Sequence, residues 1–286
     1  MRPTTRFREL IGMEGSILAP GAYDGLSARL VERAGFSAVY ASGGAISRSS
    51  GLPDLGLLSL TEISMRLQQI VDSVDIPVIA DMDTGYGNTL NVVRAVRAFE
   101  HAGVAAFHLE DQTFPKRCGH YSGRRVIPPR EFCGKIAAAK DALTDHDTVI
   151  IARTDALSIE GLEKTIARMH QYMEAGADVA FVEAPRTADE IEAVASQLSC
   201  PKLMDVVPGG HAAQVSVSRL QELGFKILIF STDLQRAAVR AMAMVLSTIG
   251  TDSYESSIHS QIASFLERED VVGTDALIKY ASRFES

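Results

Sequence analysis

Pairs of acidic side chains stand at the ends of short apolar runs, and their spacing suits a divalent cation. Asp81 and Asp83 lie two residues apart, so both carboxylates share one face of an extended segment. His108 and Glu110 have the same spacing. Crowded carboxylates repel one another, and oxygen ligands of this kind suit Mg²⁺ or Mn²⁺. The sequence therefore predicts a metal site that includes Asp81, Asp83 and Glu110.

Further polar residues end later apolar runs: Arg153 with Asp155, then Glu183, then Asp205. At a strand end beside a metal, Arg153 is well placed to clamp a substrate carboxylate through paired hydrogen bonds. A helix cap is the alternative interpretation of Asp83 and Asp155, because aspartate caps helices well. Together these residues predict an acidic rim that contains one arginine.

The segment Lys116–His120 places Cys118 between basic residues and a histidine. Basic neighbours stabilise a thiolate, so a cysteine in such a segment exchanges a proton near neutrality. Cys118 and His120 are therefore candidate catalytic residues. The alternative is a solvated basic loop with an incidental cysteine.

Short apolar, β-branched runs recur along the chain and predict the elements that position these residues. Most of them are continuously apolar, as parallel strands buried on both faces are. The runs are Ser16–Ala19, Ala38–Ala41, Pro77–Ala80, Ala105–Leu109, Thr148–Ala152, Val179–Val182, Lys202–Met204 and Lys226–Phe230.

The segments between the runs have helical patterns, and several of them end on a glycine. The helix-ending glycines are Gly35, Gly103, Gly176 and Gly224. Strands that alternate with helices in this way predict a closed (β/α)₈ TIM barrel, with an open doubly wound sheet as the main alternative. In such a barrel the polar residues gather at the carboxyl ends of the strands, where active sites lie.

Composition sets the class of protein. The chain has 286 residues with a net charge of −8 and no basic stripe, which argues against nucleic-acid binding. It contains no apolar run of about 18 residues that could span a membrane. Its three cysteines fit a reducing, cytoplasmic environment better than a disulfide framework. We expect one barrel domain over 1–286.

Residues 232–286 lie beyond the eighth run and predict additional helix. Ile258, Ile262, Phe265 and Leu266 fall on one helical face. Extra helices on a barrel either mediate oligomerisation or pack on their own barrel, and the pattern leaves both open.

The motifs together resemble the isocitrate lyase/phosphoenolpyruvate mutase superfamily, nearest its 2-methylisocitrate lyase and 2,3-dimethylmalate lyase branch. The lysine-arginine-cysteine-glycine-histidine segment is the lyase signature of this superfamily, and the phosphonomutases lack its cysteine. The matching segments, in order, are Tyr40–Gly44, Leu52–Gly56, Asp81–Gly87, His108–Gln112, Lys116–His120 and Ile151–Ala156.

The resemblance implies a homotetramer in which the last barrel helix swaps between subunits. It implies Mg²⁺ held by Asp81, with Asp54, Asp83 and Glu110 nearby, mostly through water. It also implies that the Ser42-Gly43-Gly44 segment contacts the α-keto acid portion of the substrate.

The implied reaction is cleavage of a small 2-hydroxy dicarboxylate in a retro-aldol sense, which releases an α-keto acid such as pyruvate or glyoxylate. Arg153 contacts a carboxylate or oxyanion, the Cys118 loop closes over the substrate, and Cys118 protonates the enediolate. Tyr40, a metal-bound water or a carboxylate remains open as the base. Gly119 and Glu183 are further candidate substrate-binding residues.

The segment after the seventh run departs from the lyase pattern. Asp205 stands where the lyases carry asparagine, and Pro208 where they carry glutamate. An aspartate repels a carboxylate to which an amide would donate. Glu183 and Arg186 belong to a segment that resembles the dimethylmalate lyases. We therefore expect Asp205 to line the substrate site and a substituted malate to be preferred over the tricarboxylate methylisocitrate.

Two other classes of function compete with the lyase. One is oxaloacetate decarboxylation or hydrolysis, or phosphonate chemistry, on the same fold. The other is a non-catalytic binding protein on a retained barrel. Cys118 discriminates among these functions, because only the lyase reaction requires its proton.

Overall fold

The apolar runs form the strands of a closed barrel in the computed structural model. Each strand is short and almost wholly buried, as expected of parallel strands covered by helices. The strands are β1 (Ile17–Ala22), β2 (Val39–Ala41), β3 (Val78–Asp81), β4 (Ala106–Glu110), β5 (Val149–Thr154), β6 (Val179–Val182), β7 (Lys202–Asp205) and β8 (Phe225–Phe230).

All neighbouring strands pair in parallel, and β1 closes the circle by pairing with β8. The TIM-barrel prediction is therefore confirmed, and the open sheet is excluded. β1 runs three residues beyond the predicted Ala19, through a Pro-Gly pair that is more typical of a turn. Gly21 is needed there because a Cβ would lie 2.6 Å from the carbonyl oxygen of Ser231.

Helices alternate with the strands, and those of Met1–Asp233 pack around the barrel. The four glycines predicted to end helices all have positive φ, between 78° and 114°. The helices are α1 (Pro3–Gly12), α2 (Gly25–Arg33), α3 (Gly43–Ser49), α4 (Leu60–Val71), α5 (Thr89–Ala102), α6 (Pro129–Ala142), α7 (Leu157–Glu160), α8 (Leu162–Glu174), α9 (Ala188–Gln197), α10 (Val217–Glu222) and α11 (Asp233–Thr248).

Helix α1, which the sequence patterns did not predict, covers the amino ends of the strands. Phe7 is fully buried in the barrel core beside Ile17 and Val149 at strand starts. Arg8 donates to the carbonyl oxygens of Asp147 and Thr148 just before β5. This apolar plug closes the amino-terminal end of the barrel, so the opposite end is the one available for a ligand.

The structure describes residues 1–119, 121–207, 215–250, 258 and 260–284. The chain divides into two compact units, Met1–Asp233 with the barrel and Leu234–Ser286. The second unit contains most of α11 and two shorter helices, Phe265–Val272 and Thr274–Ala281. Helix is thus present beyond β8, as predicted.

The helices of the second unit present apolar side chains that their own unit does not bury. On α11, Val239, Met242 and Leu246 are all more than half exposed. The predicted apolar face is mixed, because Ile258 is buried whereas Phe265 and Leu266 are exposed. Among the described helices, none has the length and apolar character needed to cross a membrane.

Candidate active site

The polar residues predicted to share a rim do so, because the parallel register aligns the carboxyl ends of the strands. Asp81 on β3 lies opposite His108 on β4. Glu110 at the end of β4 lies opposite Arg153 on β5. All four side chains are at least nine-tenths buried, so their charges interact in a medium that water screens poorly.

The turn after β3 holds the first pair of acids in a fixed relation. The Asp83 amide donates to Asp81 Oδ1 at 3.0 Å, and the Glu110 amide donates to the Asp83 carbonyl at 2.9 Å. Asp83 has φ of 48°, a left-handed conformation that aspartate tolerates better than most residues. Asp83 therefore shapes a turn at the rim and does not cap a helix, because Asn88 caps α5.

Lys116 lies among the acids of the rim rather than in solvent. Its Nζ is 2.7 Å from Asp54 Oδ1 and 2.8 Å from Asp83 Oδ1, and its side chain is only 5% exposed. Burial alone would lower the pKa of Lys116, but Asp83 and the other acids raise it well above its usual range. Burial raises the pKa of Asp83 to about 7 even though Lys116 opposes the shift.

Glu110 ends β4 at the rim beside Arg153. It is fully buried, and Arg153 Nε lies 3.2 Å from Oε2. Neither carboxylate oxygen accepts a hydrogen bond from the part of the chain that the structure describes. Burial raises the pKa of Glu110 well above its usual range.

Arg153 is oriented by several acids at once. Its guanidinium donates from Nε to Asp155 Oδ2 at 3.0 Å and from Nη2 to Asp155 Oδ1 at 3.2 Å. Nη2 also lies 3.6 Å from Glu183 Oε1, and the group lies over the ring of Phe181. Asp155 is thus a ligand of Arg153 and not a helix cap. The rim presents a positive charge in a nearly fixed position.

Tyr40 and His108 form a buried pair beneath Asp81. The Tyr40 hydroxyl is 2.8 Å from His108 Nε2, which lies 3.5 Å from Asp81 Oδ1. Burial lowers the pKa of His108 to about 4, so its ring is neutral near pH 7. Burial, with Asp81, raises the pKa of Tyr40 well above its usual range. The phenol therefore keeps its proton in this arrangement.

The segment Ser42–Gly44 brings backbone close to the acids. Ser42 caps α3 by accepting from the Ala45 amide. A Cβ on Gly43 would lie 2.6 Å from Asp81 Oδ2, and one on Gly44 would lie 2.9 Å from Asp54 Oδ2. Glycine at both positions lets the carboxylates approach the start of the helix.

A backbone hydrogen bond holds Cys118 at the rim, and one guanidinium lies near its sulfur. Its amide donates to the Asp54 carbonyl at 3.2 Å, and Arg48 Nη2 lies 4.0 Å from its Sγ. The cation near the sulfur thus comes from α3, while Lys116 binds the acids. Gly119 packs against Glu183, which occupies the place of any Cβ there. His120 lies outside the described residues.

The loop that carries Cys118 is tied at its base. Gln112 bridges Val126 in antiparallel fashion, and the Ile127 amide donates to the Asp111 carbonyl at 2.8 Å. The Gln112 side chain donates to the Arg117 carbonyl and accepts from its amide, at 2.8 and 3.0 Å. These bonds close the ends of the loop and leave its middle over the rim.

A buried network behind the rim supports this base. Asp111 accepts from Thr154 Oγ1, Tyr172 hydroxyl and the Asp155 amide at 2.7, 2.8 and 3.0 Å. Arg168 donates to Tyr172 and to the Ile127 carbonyl. Burial raises the pKa of Asp111 to about 6. The network connects β4, β5 and the returning end of the loop.

Asp205 and Glu183 form the acidic side of the rim opposite the β3 turn. Asp205 Oδ2 accepts from Ser231 Oγ at 2.8 Å. Burial, with the charge of Glu183, raises the pKa of Asp205 to about 7. Pro208, which stands where the lyases carry glutamate, lies outside the described residues.

The structure thus brings the predicted site residues to one rim, His120 excepted. Lys116, predicted as a basic neighbour of Cys118, lies among the acids instead. The structure also adds residues that the sequence interpretation left without a role: Arg48 beside the sulfur, His108 beneath Asp81, and Arg124, which binds Asp155. Of these, Arg48 had a usable signal, because it lies one helical turn after Gly44.

The fold, with titratable side chains gathered at the carboxyl ends of the strands, is that of a barrel enzyme. The chain belongs to the phosphoenolpyruvate phosphomutase family, which matches residues 7–249. This confirms the superfamily that the motifs predicted.

Curated relatives cover nearly the whole chain. The 2,3-dimethylmalate lyase of Eubacterium barkeri is 38% identical over 97% of this chain and 96% of its own length. The 2-methylisocitrate lyase of Aeropyrum pernix is 40% identical over 95% and 88%. The chloroplastic carboxyvinyl-carboxyphosphonate phosphorylmutase of Arabidopsis thaliana is 40% identical over 100% and 86%. The chain is an enzyme, and carbon–carbon lyase activity fits these relatives.

Solved structures of similar proteins have the same fold as this chain. A phosphoenolpyruvate phosphomutase from Streptomyces platensis subsp. rosaceus has a TM-score of 0.94 at 33% identity, over 99% of both chains. An oxaloacetate acetylhydrolase in complex with 3,3-difluorooxalacetate has a TM-score of 0.93 at 33% identity, over 99% and 97%. A phosphonopyruvate hydrolase in complex with oxalate and Mg²⁺ has a TM-score of 0.91 at 32% identity, over 100% of both chains.

Proposed function

We propose that the protein is a Mg²⁺-dependent carbon–carbon lyase that cleaves a substituted malate into an α-keto acid and a carboxylic acid. The observation that carries the proposal is the position of Cys118, whose amide binds Asp54 at the acidic rim and whose Sγ faces Arg48. Relatives named as lyases of 2,3-dimethylmalate and 2-methylisocitrate support the same class of reaction.

The donor set of the rim fits Mg²⁺. No group of three His, Cys, Asp or Glu side chains within the described residues is arranged to hold a metal by itself. Mg²⁺ typically takes one or two carboxylates and fills its other positions with water and substrate oxygens. Asp81 would bind it directly, with Asp54, Asp83 and Glu110 acting through water. When bound, the ion would acidify the substrate hydroxyl and offset charge on the neighbouring carboxylate.

The chain's own residues would then carry the proton transfers. Arg153, held by Asp155, would bind a substrate carboxylate and offset the charge that develops as the bond breaks. Tyr40 keeps its proton and would donate a hydrogen bond, which leaves a rim carboxylate or a water to accept the hydroxyl proton. The Cys118 thiol would give its proton to the carbon left by the cleaved bond, and Arg48 would stabilise the resulting thiolate.

The acidic side of the rim favours a dicarboxylate over a tricarboxylate. Burial raises the pKa of Asp205, and the neighbouring charge of Glu183 raises it further, so each charge disfavours the other. A third substrate carboxylate placed there would add to this repulsion. An alkyl group, or a neutral hydrogen-bond acceptor that faces a protonated Asp205, would add no such repulsion.

A turnover screen in Mg²⁺ tests the proposal. Candidate substrates are malate, 2- and 3-alkyl malates, 2,3-dimethylmalate, isocitrate, 2-methylisocitrate and oxaloacetate, with both products followed by mass. Release of pyruvate or glyoxylate with a carboxylic acid, lost in Cys118→Ser, is the expected result. Asp81→Ala should abolish turnover and also the rise in melting temperature that Mg²⁺ produces. Full turnover by Asp81→Ala in excess EDTA would exclude the metal assignment.

A second candidate is oxaloacetate hydrolysis or phosphonate chemistry, because solved structures with those names are as similar in fold as a 2,3-dimethylmalate lyase is. The same screen discriminates between the candidates. Turnover of oxaloacetate alone, at a rate indifferent to Cys118→Ser, would assign the protein to this second group.

A further inference from the structure

Arg124, on the returning half of the Cys118 loop, binds the barrel rim through a buried carboxylate. Its Nη1 is 2.7 Å from Asp155 Oδ1, and its Nη2 donates to Ser158 Oγ at 2.9 Å. The Arg124 side chain is 10% exposed and Asp155 is fully buried. A charge-assisted contact of this kind is shorter and stronger than a neutral hydrogen bond, and burial protects it from salt.

The same carboxylate orients Arg153. Asp155 receives Arg153 on both oxygens, and its own amide donates to Asp111 at 3.0 Å. Barrel residues therefore hold Asp155 without any contribution from the loop. One acid thus binds two guanidinium groups, one from β5 and one from the loop.

A short chain of hydrogen bonds leads from Arg124 to Cys118. Arg124 Nε donates to the Tyr121 carbonyl at 3.1 Å, and the Tyr121 amide donates to the Cys118 carbonyl at 2.8 Å. The contact between Arg124 and Asp155 thereby restrains the turn that carries the thiol. The base of the loop is closed independently through Gln112 and Val126.

We propose that Arg124 is a positioning residue: by binding Asp155 it latches the loop in the position that holds Cys118 against the rim. The inference rests on the proposed role of Cys118 as proton donor. Arg124 does not contact the reacting atoms, and it acts through Tyr121 and Asp155. Loss of the latch leaves the barrel intact but lets the loop leave the rim.

The reactivity of Cys118 tests the latch without any turnover. Iodoacetamide labelling, read by peptide mass, is compared in wild type, Arg124→Gln and Arg125→Gln, with and without Mg²⁺ and oxalate. Arg125 is exposed, so its variant removes the same charge from the same loop. Cys133 and Cys200, both half-buried, serve as internal references.

Cys118 in Arg124→Gln should be alkylated roughly 10-fold faster or more than in wild type or Arg125→Gln, because one charged hydrogen bond of this strength is lost. The rates of the two reference cysteines should not change. Equal Cys118 rates in the two glutamine variants would overturn the proposal. The alkylation rates do not depend on whether the screened acids are substrates. Failure of the latch proposal can therefore be told apart from failure of the lyase assignment.

Two milder variants keep the test valid if Arg124→Gln does not fold. Ser158→Ala removes one hydrogen bond of Arg124. Arg124→Lys keeps the charge but loses the paired N–H groups of the guanidinium, which contact Asp155 and Ser158. Each should give an intermediate rise in Cys118 labelling. If a substrate is found, both should lower kcat more than they raise KM. Wild-type labelling in both variants would exclude the latch.

Discussion

Replacement of Lys116 by methionine should change how the stability of the protein depends on pH. In the wild type, Asp83 has its pKa raised from 3.8 to about 7. The folded protein therefore binds this proton more tightly than the unfolded chain does. Its contribution to stability is fully present below pH 3.8 and falls as the pH rises to about 7, above which the contribution of Asp83 no longer changes.

Lys116→Met removes the cation that opposes this shift, so the pKa of Asp83 should rise further and stability should continue to fall above pH 7. The slope is at most about 1.4 kcal/mol per pH unit for one proton, or about 2 kcal/mol between about pH 7 and pH 8.5. For a chain of this size that is a drop of up to about 3 °C in melting temperature.

The assay is thermal melting in EDTA across this pH range, with Lys164→Met as a control. Lys164 is an exposed lysine on α8, so its removal should leave the pH profile unchanged. Mg²⁺ should then raise the melting temperature of Lys116→Met more than that of the wild type, because no ammonium competes for Asp54 and Asp83. Parallel profiles for Lys116→Met and wild type above pH 7 would refute the reasoning.

Three further predictions concern stability and assembly. Arg168→Met should lower the free energy of unfolding by about 3–5 kcal/mol, because it removes the buried cation that lies 3.6 Å from Asp111 and 2.7 Å from Glu160; in urea unfolding, the exposed control Arg219→Met should match wild type. Asp205→Asn should flatten the loss of stability between about pH 4 and pH 7, since Asp205 has its pKa raised to about 7; an unchanged pH profile of melting would contradict this. We expect a homotetramer built through the C-terminal helices, so Leu246→Asp should lower the mass in sedimentation equilibrium; an unchanged mass would count against that role for α11.

The barrel was predictable because burial leaves a direct mark on sequence. Strands covered on both faces are continuously apolar, and helices that return to them end on glycine. The main boundary error was β1, where Pro20 and Gly21 have the types of a turn. The Gly21 position is explained only by the approach of Ser231, a contact between residues more than 200 positions apart.

The members of the rim were predictable, but their partners were not. Strand ends bring Asp81, Glu110 and Arg153 together through register alone. Lys116 and Arg124 reach the rim only because a long loop folds back, and no spacing rule fixes such a path. The sequence interpretation therefore placed Lys116 beside Cys118 as a basic neighbour, whereas the structure places it on two carboxylates.

The charge balance of the rim explains why these partners matter. More acids than cations meet there, and burial together with the neighbouring acids raises the pKa values of Asp83 and Asp205. Lys116 binds two of the acids that would surround Mg²⁺, and it belongs to the same loop as Cys118. Arrival of the ion would weaken the attraction that draws Lys116 inward, so a second anchor is needed to keep the thiol in place. Arg124 on Asp155 is such an anchor, because Asp155 is held by Asp111 and does not depend on the metal.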